Sequence, residues 1–212
     1  MIGQRLNEIR KELPPEVKLV AVSKFKSVED IMEAYRAGQR AFAESRPQEL
    51  VKKASVLPDD IEWHFIGHLQ TNKIKLILPY VNLVQSVDSA HLLEELDRQA
   101  SIFCRTVDCL LEVHISGEES KQGFEPSEIS QIVEERLNLQ NVRIRGLMGM
   151  ASLSGDEHLI HSEFKALRLL ADKFKNEGLG YVSMGMSSDY RIAVQEGTNL
   201  VRIGTAIFGN RI

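Results

Sequence analysis

The sequence is short of several things, and each shortage closes off a class of protein. Its 212 residues include only two cysteines, Cys104 and Cys109, too few for the disulfide framework of a small secreted scaffold. No apolar run approaches the length needed to cross ~30 Å of hydrocarbon, so no membrane span is expected. There is no basic excess. Lys and Arg number 26 against 30 Asp and Glu, a formal charge of −4, and nucleic acid is therefore not an expected partner. The opening Met1-Ile2-Gly3-Gln4-Arg5 leads into a charged helix and lacks the apolar core of a secretion signal. No low-complexity tract, Gly/Ser linker or long charge run divides the chain. With 43% apolar and 26% charged residues, the composition is that of an ordinary globular protein. One domain over residues 1–212 and a cytoplasmic location are the expectations.

Familiar chemical signatures are missing as well. No Gly-x-Gly-x-x-Gly follows the first apolar run, which weakens a dinucleotide-binding reading. No Gly-x-Ser-x-Gly elbow supports a Ser-His-Asp hydrolase. His64 and His68 stand four apart but straddle a strand end and its loop, without the intervening Glu of a zincin helix. No metal site is expected, and packing or backbone hydrogen bonding accounts for both. Cys109 lies in an apolar run and Cys104 at a helix-to-strand turn, so both read as small buried hydrophobes. Glu94-Glu95 and Glu134-Glu135 read as solvated helix faces.

What the chain does have is a repeated alternation. Short apolar runs occur at Val17–Phe25, Ala41–Glu44, Glu62–Gly67, Leu83–Asp88, Val107–Ser116, Val142–Ala151, Tyr181–Ser187 and Leu200–Gly209. Several, such as Lys18-Leu19-Val20-Ala21-Val22, are nearly continuous in apolar residues and do not alternate, as strands buried on both faces should be. Segments with helical periodicity separate them: Val28–Ala37, Pro47–Val56, Thr71–Leu78, Ala90–Phe103, Pro126–Arg136, Glu157–Glu177 and Asp189–Glu196. The first ten or so residues add a leading helix. Eight strands alternating with seven helices imply a parallel sheet with right-handed crossovers. Eight such units in one domain favour an α/β fold of the (β/α)₈ TIM-barrel kind; an open doubly wound sheet is the alternative.

In a barrel, function belongs at the carboxyl ends of the strands. Lys24 follows Ala21-Val22-Ser23, in or beside an apolar strand end where an ammonium is costly to bury. Two readings fit this position. A desolvated lysine has a lowered pKa and, once neutral, attacks aldehydes to form a Schiff base; alternatively the side chain snorkels out of the mouth. Lys26 shares its strand face by periodicity, but sits where the loop to the next helix begins. After the seventh run come Ser183-Met184-Gly185-Met186-Ser187-Ser188-Asp189, and the eighth contains Arg202-Ile203-Gly204-Thr205-Ala206. Hydroxyls and small residues at helix starts suit an anion, and barrels of this kind often bind phosphate at the loops after strands seven and eight. Ordinary capping explains either loop alone. Strands one and eight are neighbours in a closed barrel, so lysine, arginine and both loops converge on one mouth.

Ala21-Val22-Ser23-Lys24, the run Trp63-His64-Phe65-Ile66-Gly67-His68-Leu69-Gln70-Thr71-Asn72-Lys73, Gly185-Met186-Ser187-Ser188-Asp189 and Val201-Arg202-Ile203-Gly204-Thr205-Ala206-Ile207-Phe208-Gly209 resemble the pyridoxal phosphate homeostasis proteins. The likeness runs from Val17 to Gly209. It implies a barrel like the amino-terminal domain of alanine racemase that binds pyridoxal 5′-phosphate (PLP) as a Schiff base on Lys24. It further implies Arg202 at the pyridine nitrogen, with Ser187, Gly204 and Thr205 on the phosphate. The family usually carries Gly-Glu-Asn after the second strand, its asparagine near the cofactor ring. Here Ala43-Glu44-Ser45 puts the shorter Ser45 there, followed by Arg46 where an aromatic is common.

The resemblance implies PLP homeostasis without efficient turnover; the alternative is a small fold-type-III racemase or lyase. Racemases of that type take a second acid/base group from another domain or subunit, and Ile212 follows directly on the last strand, so such a domain is expected to be missing. A cationic partner such as Arg202 also disfavours a protonated ring nitrogen, which makes the ring a poorer electron sink. A monomer is expected, with PLP-dependent apo-enzymes as conceivable recipients of the cofactor.

Overall fold

The pentapeptide Lys18–Val22 forms β1, and each later apolar run lays down a parallel neighbour: β2 (Ala41–Glu44), β3 (Glu62–Phe65), β4 (Val81–Val87), β5 (Val107–Val113), β6 (Val142–Gly149), β7 (Tyr181–Ser183) and β8 (Leu200–Ile203). The computed structural model describes residues 1–117, 122–135 and 138–209. Within them the eight strands pair in sequence order and β8 returns to β1, closing the single-domain TIM barrel. The closing register sets Val20 opposite Arg202 and Ala21 opposite Ile203. An open sheet is thereby excluded.

Alternation along the strands sorts side chains into two packing zones. Leu19, Ala21, Phe42, Phe65, Val84, Leu111, Leu147 and Val201 face outward into the main core. There they meet the apolar stripes of the helices, represented by Leu6, Ile31, Leu50, Leu96 and Leu167. Val20, Val22, Ala41, Ala43, Leu83, Leu110, Met148 and Leu200 fill the barrel interior.

The crossover helices are α2 (Val28–Arg36), α3 (Pro47–Ala54), α4 (Ile74–Ile77), α5 (Ala90–Ile102), α6 (Ile129–Glu135), α7 (Glu157–Asp172) and α8 (Tyr190–Gln195); α1 (Ile2–Glu12) leads and α9 (Thr205–Phe208) follows β8. Ser27 starts α2 with a capping box shared with Asp30, satisfying amide donors that the first helical turn leaves unpaired. Ser89 and Asp156 do the same for α5 and α7. The leading helix is tied into the barrel's outer ring. Arg5 donates to the Ile207 carbonyl at 3.1 Å, Arg10 to that of Ala37 at 2.6 Å, and Glu12 accepts from the Tyr190 hydroxyl at 2.6 Å. Among the described residues, no helix is long and apolar enough to cross a membrane.

The structure amends the sequence reading at element ends. Helix α9 was hidden inside the apolar run Leu200–Gly209, because a buried strand followed by a short buried helix gives one continuous apolar signal. The segment Glu157–Glu177 is α7 plus a separate 3₁₀ turn at Lys175–Glu177, which Gly178 ends with φ 87°. Thr71–Leu78 likewise begins as a 3₁₀ turn, Thr71–Lys73. Helix α6 starts at Ile129 rather than Pro126; its expected end, Arg136, lies outside the described residues. Cys104 is a correction: it is exposed, in a left-handed turn with φ 50° after α5, where the chain reverses and its side chain has no core to enter. Cys109 is buried, and desolvation raises its thiol pKa.

Candidate functional site

The carboxyl ends of the strands surround a cavity of about 320 Å³, within the size range of small-molecule sites. Its walls are Val22, Ile66, Met148, Met150 and Met186; its polar groups are Lys24, Lys26, Arg202, Ser187, Ser188, Gly204, and Thr205. Five of the six residues that the sequence reading singled out therefore meet here. Ser45 does not join them. It follows β2, half-buried, and its main chain packs so closely on Gly67 that a Cβ there would lie 2.2 Å from the Ser45 carbonyl oxygen.

Lys24 is presented by a turn that is held on both sides. Before it, the Ser23 amide donates to Ala43 O (3.0 Å) and the Ser23 hydroxyl to Glu44 Oε1 (2.5 Å), while Lys53 Nζ donates to Ser23 O (2.8 Å). After it, the Phe25 amide donates to Glu49 Oε1 (2.7 Å). Lys53 Nζ also bridges Glu44 (2.9 Å) and Glu49 (2.8 Å), so one buried ammonium ties β2 and α3 to the end of β1. Phe25 takes φ 63°, a conformation costly for an aromatic residue, and the Arg46 guanidinium stacks 4.5 Å from its ring centroid. Burial raises the Glu44 pKa, with Lys53 and Ser23 opposing the rise. The left-handed turn at Phe25 breaks the strand alternation between Lys24 and Lys26. Lys26 Nζ donates to the Gly209 carbonyl at 3.1 Å.

Arg202 rises from β8 inside the barrel, 4% exposed. It donates from Nη1 to the Ser183 hydroxyl and from Nη2 to Gly149 O at 3.1 Å. Burial lowers its pKa to about 10, with Glu112 and Asp189 opposing, so it remains a cation at neutral pH. Glu112 lies on β5 in register with Met148 and so faces the interior. Desolvation lifts its carboxyl to about 7; Arg202 and His68 pull it down and Asp88 pushes it up.

The third group is a donor set. The amides of Gly204 and Ala206 both point at Ser187 Oγ, at 3.2 and 3.3 Å. Two main-chain donors converging on one oxygen beside two cations suit an anion. The Gly185 bend makes this convergence possible. Its φ is 96° and a Cβ would lie 2.6 Å from that of Ala193, while its carbonyl accepts the Arg202 amide at 3.0 Å.

A family model described as the alanine racemase N-terminal domain matches residues 2–211. The pyridoxal phosphate homeostasis protein of Aquifex aeolicus is 40% identical over 198 residues, 92% of this chain and 87% of that one. Its counterpart from Synechocystis is 38% identical over 211 residues, 97% of each. The chain belongs to the pyridoxal phosphate homeostasis protein family. Among solved structures, PipY of Synechococcus elongatus without PLP superposes with a TM-score of 0.94 at 39% identity, covering 99% of this chain and 100% of that one. The PLP-bound form of PipY gives 0.87. Alanine racemase of Clostridium difficile, 14% identical, reaches 0.85 over 99% of this chain and 56% of its own, a likeness of fold.

Within this homeostasis-family chain, sequence reading missed the supports beneath the site. Lys53 and Glu49 sit on an amphipathic helix where charge reads as surface, yet Lys53 is 5% exposed. The i,i+4 spacing of Glu49 and Lys53 was the available signal. The methionine wall was also missed, although Met148 and Met150 stand two apart at the end of β6, as inward positions should. His64 packs in the interior as expected, 2% exposed, and its Nδ1 meets the Gln85 side-chain amide at 2.8 Å. Among the described residues, no three histidine, cysteine or acidic side chains come together in a way that would hold a metal ion.

Proposed function

We propose that this barrel binds PLP at its mouth and serves intracellular PLP homeostasis without efficient turnover. The observation that carries the reading is the convergence on one cavity of Lys24, Arg202 and the donors gathered at Ser187. These match the three chemical handles of PLP: an aldehyde, a ring nitrogen and a phosphate. Bound PLP supplies an electrophilic aldehyde and a heteroaromatic ring able to accept electrons. Lys24 would hold the aldehyde carbon as a Schiff base, Arg202 would donate to the ring nitrogen, and Ser187, Gly204 and Thr205 would hold the phosphate. Ser45 would reach the ring only through water, given its place outside the cavity wall. Family relatives that share the homeostasis name support the cofactor and the role.

The enzymatic alternative, a small racemase or lyase, has less support. Of the residues lining the cavity, those that ionise are Lys24, Lys26 and Arg202. A permanently cationic Arg202 leaves a ring nitrogen unprotonated, which weakens carbanion stabilisation. The same reading places the protein in the cytoplasm as a monomer, with PLP-dependent apo-enzymes as recipients.

Purified protein with PLP should show an absorption band near the visible edge. Borohydride should fix the adduct on the peptide containing Lys24, and Lys24→Ala should remove the band. A band lost in Lys26→Ala but kept in Lys24→Ala would overturn the assignment. Pyridoxal should bind far more weakly than PLP, since each hydrogen bond to a charged acceptor contributes roughly 1.5–3 kcal/mol. A turnover rate near the enzyme median of ~10 s⁻¹ on any amino acid would overturn the non-catalytic role.

A further inference from the structure

Below Arg202 the barrel interior carries polar side chains that the cavity does not use. Ser183 and Gln85 are 0% exposed and His64 is 2%; they come from β7, β4 and β3. The Ser183 hydroxyl donates to Gln85 Oε1 at 2.7 Å, and Gln85 Nε2 meets His64 Nδ1 at 2.8 Å. With the bond from Arg202 to Ser183, four side chains join across the core.

The direction of this chain follows from its first member. Arginine has donors and no acceptor, so Ser183 Oγ must accept from it. The serine proton is then given to Gln85 Oε1, which leaves the Gln85 amide nitrogen facing His64. An amide nitrogen only donates, so His64 Nδ1 accepts and the imidazole proton sits on Nε2. Reversing the Gln85 amide would aim two donors at Ser183 and leave the serine proton without an acceptor in the chain. A protonated His64 would oppose donor to donor at the Gln85 bond. Burial holds His64 far below that state, at about 3.

We propose that Ser183, Gln85 and His64 form a one-way relay that positions Arg202 for the ligand in the cavity. They are positioning residues, acting through the guanidinium. Each link of the relay is neutral and buried, so it fixes the head group without adding a group that titrates near neutrality. This inference rests on the reading that Arg202 meets the PLP ring nitrogen, and the test separates the two.

In protein without PLP, nitrogen NMR should show His64 as a single neutral tautomer protonated on Nε2 from about pH 8 to about pH 5. Observation of the Nδ1-protonated tautomer in the native protein overturns the relay, with no variant needed. Ser183→Ala should mix the two tautomers, and Ser183→Thr, which keeps the hydroxyl, should restore one. With PLP, Ser183→Ala should weaken binding about tenfold, on the order of one hydrogen bond to a charged group, and shift the absorption band; Ser183→Thr should do neither. Tautomers that change while affinity and band stay fixed overturn the positioning of PLP by the relay. If native protein binds no PLP, the reading of the cavity fails, and the tautomer measurement still decides whether the relay exists.

Discussion

On the β1 side of the mouth, the bonds from Lys53, Glu44 and Glu49 reach Ser23 and Phe25, the neighbours of Lys24. On the β8 side, the bonds to Ser183 and Gly149 come from the guanidinium of Arg202 itself. The first support is built from buried charges and takes hold of the turn; the second is built from neutral groups and takes hold of the head group. The difference suits the two cations. Under the proposed function Lys24 would join and leave an aldehyde, changing proton and partner, and a scaffold anchored through the backbone would suit it. An arginine that stays charged and in place gains from being fixed at its nitrogens, where five donors in a rigid fork define a direction.

The two supports should fail differently, and the largest failure belongs to the charged one. Lys53→Met leaves Glu44 buried without its cation. Breaking a buried pair on one side costs about 3–5 kcal/mol, and urea denaturation should show a loss of that size. Lys53→Met combined with Glu44→Gln removes both charges and should recover most of it, because a buried pair replaced as a whole is often close to neutral. Equal losses in the single and double variants would mean that the lysine stem, and not its charge, holds the turn.

A second contrast lies on the Arg202 side, at Glu112. Its folded-state pKa of about 7 lies above the ordinary 4.5, so folding favours the protonated form. Stability is then full below about 4.5, is lost as pH rises through 7, and stays constant above. At about 1.4 kcal/mol per unit, Glu112→Gln should be about 3 kcal/mol more stable than the native chain at about pH 8. Below about pH 4.5 the advantage should vanish. An advantage of the same size at every pH would show that packing, and not ionisation, is responsible.

How far the sequence revealed these arrangements depended on range. The barrel was legible because each strand and helix writes its own local signal, and eight repetitions reinforce one another. The meeting of Lys24, Arg202, Ser187, Gly204 and Thr205 at one cavity was legible because the ends of strands one, seven and eight converge once the barrel is assumed. The supports were not. Gln85 and Ser183 are 98 residues apart, and each is an unremarkable polar residue within an apolar run until the register brings them together. Lys53 carried no signal of burial, because helical periodicity says which face it lies on, not that the face is closed by the end of β1. Ser45 came from the family pattern alone, and a pattern does not tell that its main chain packs on Gly67, away from the residues that line the cavity.

The smallest expected effect is a change of slope at His64, the far end of the relay. His64 titrates at about 3 in the fold and near 6.5 when unfolded. The unfolded chain therefore binds a proton that the folded chain refuses, so the stability associated with His64 is complete above about 6.5 and is lost as pH falls toward 3. Glu112 acts with the opposite sign, keeping in the folded state a proton that the unfolded chain gives up above 4.5. Between about pH 4.5 and 6.5 the two contributions cancel, one proton against one. His64→Gln retains an acceptor for Gln85 and cannot titrate, so any packing cost it carries is the same at every pH. Relative to the native chain it should gain about 1.4 kcal/mol on moving from about pH 7.5 to about pH 5.5. Glu112→Gln should show a relative loss of about the same size between about pH 6.5 and pH 5.5. A double variant should then track the native chain across that interval. A His64→Gln profile parallel to the native one would mean that His64 takes up its proton in the folded barrel, which a relay ending on a bare Nδ1 does not permit.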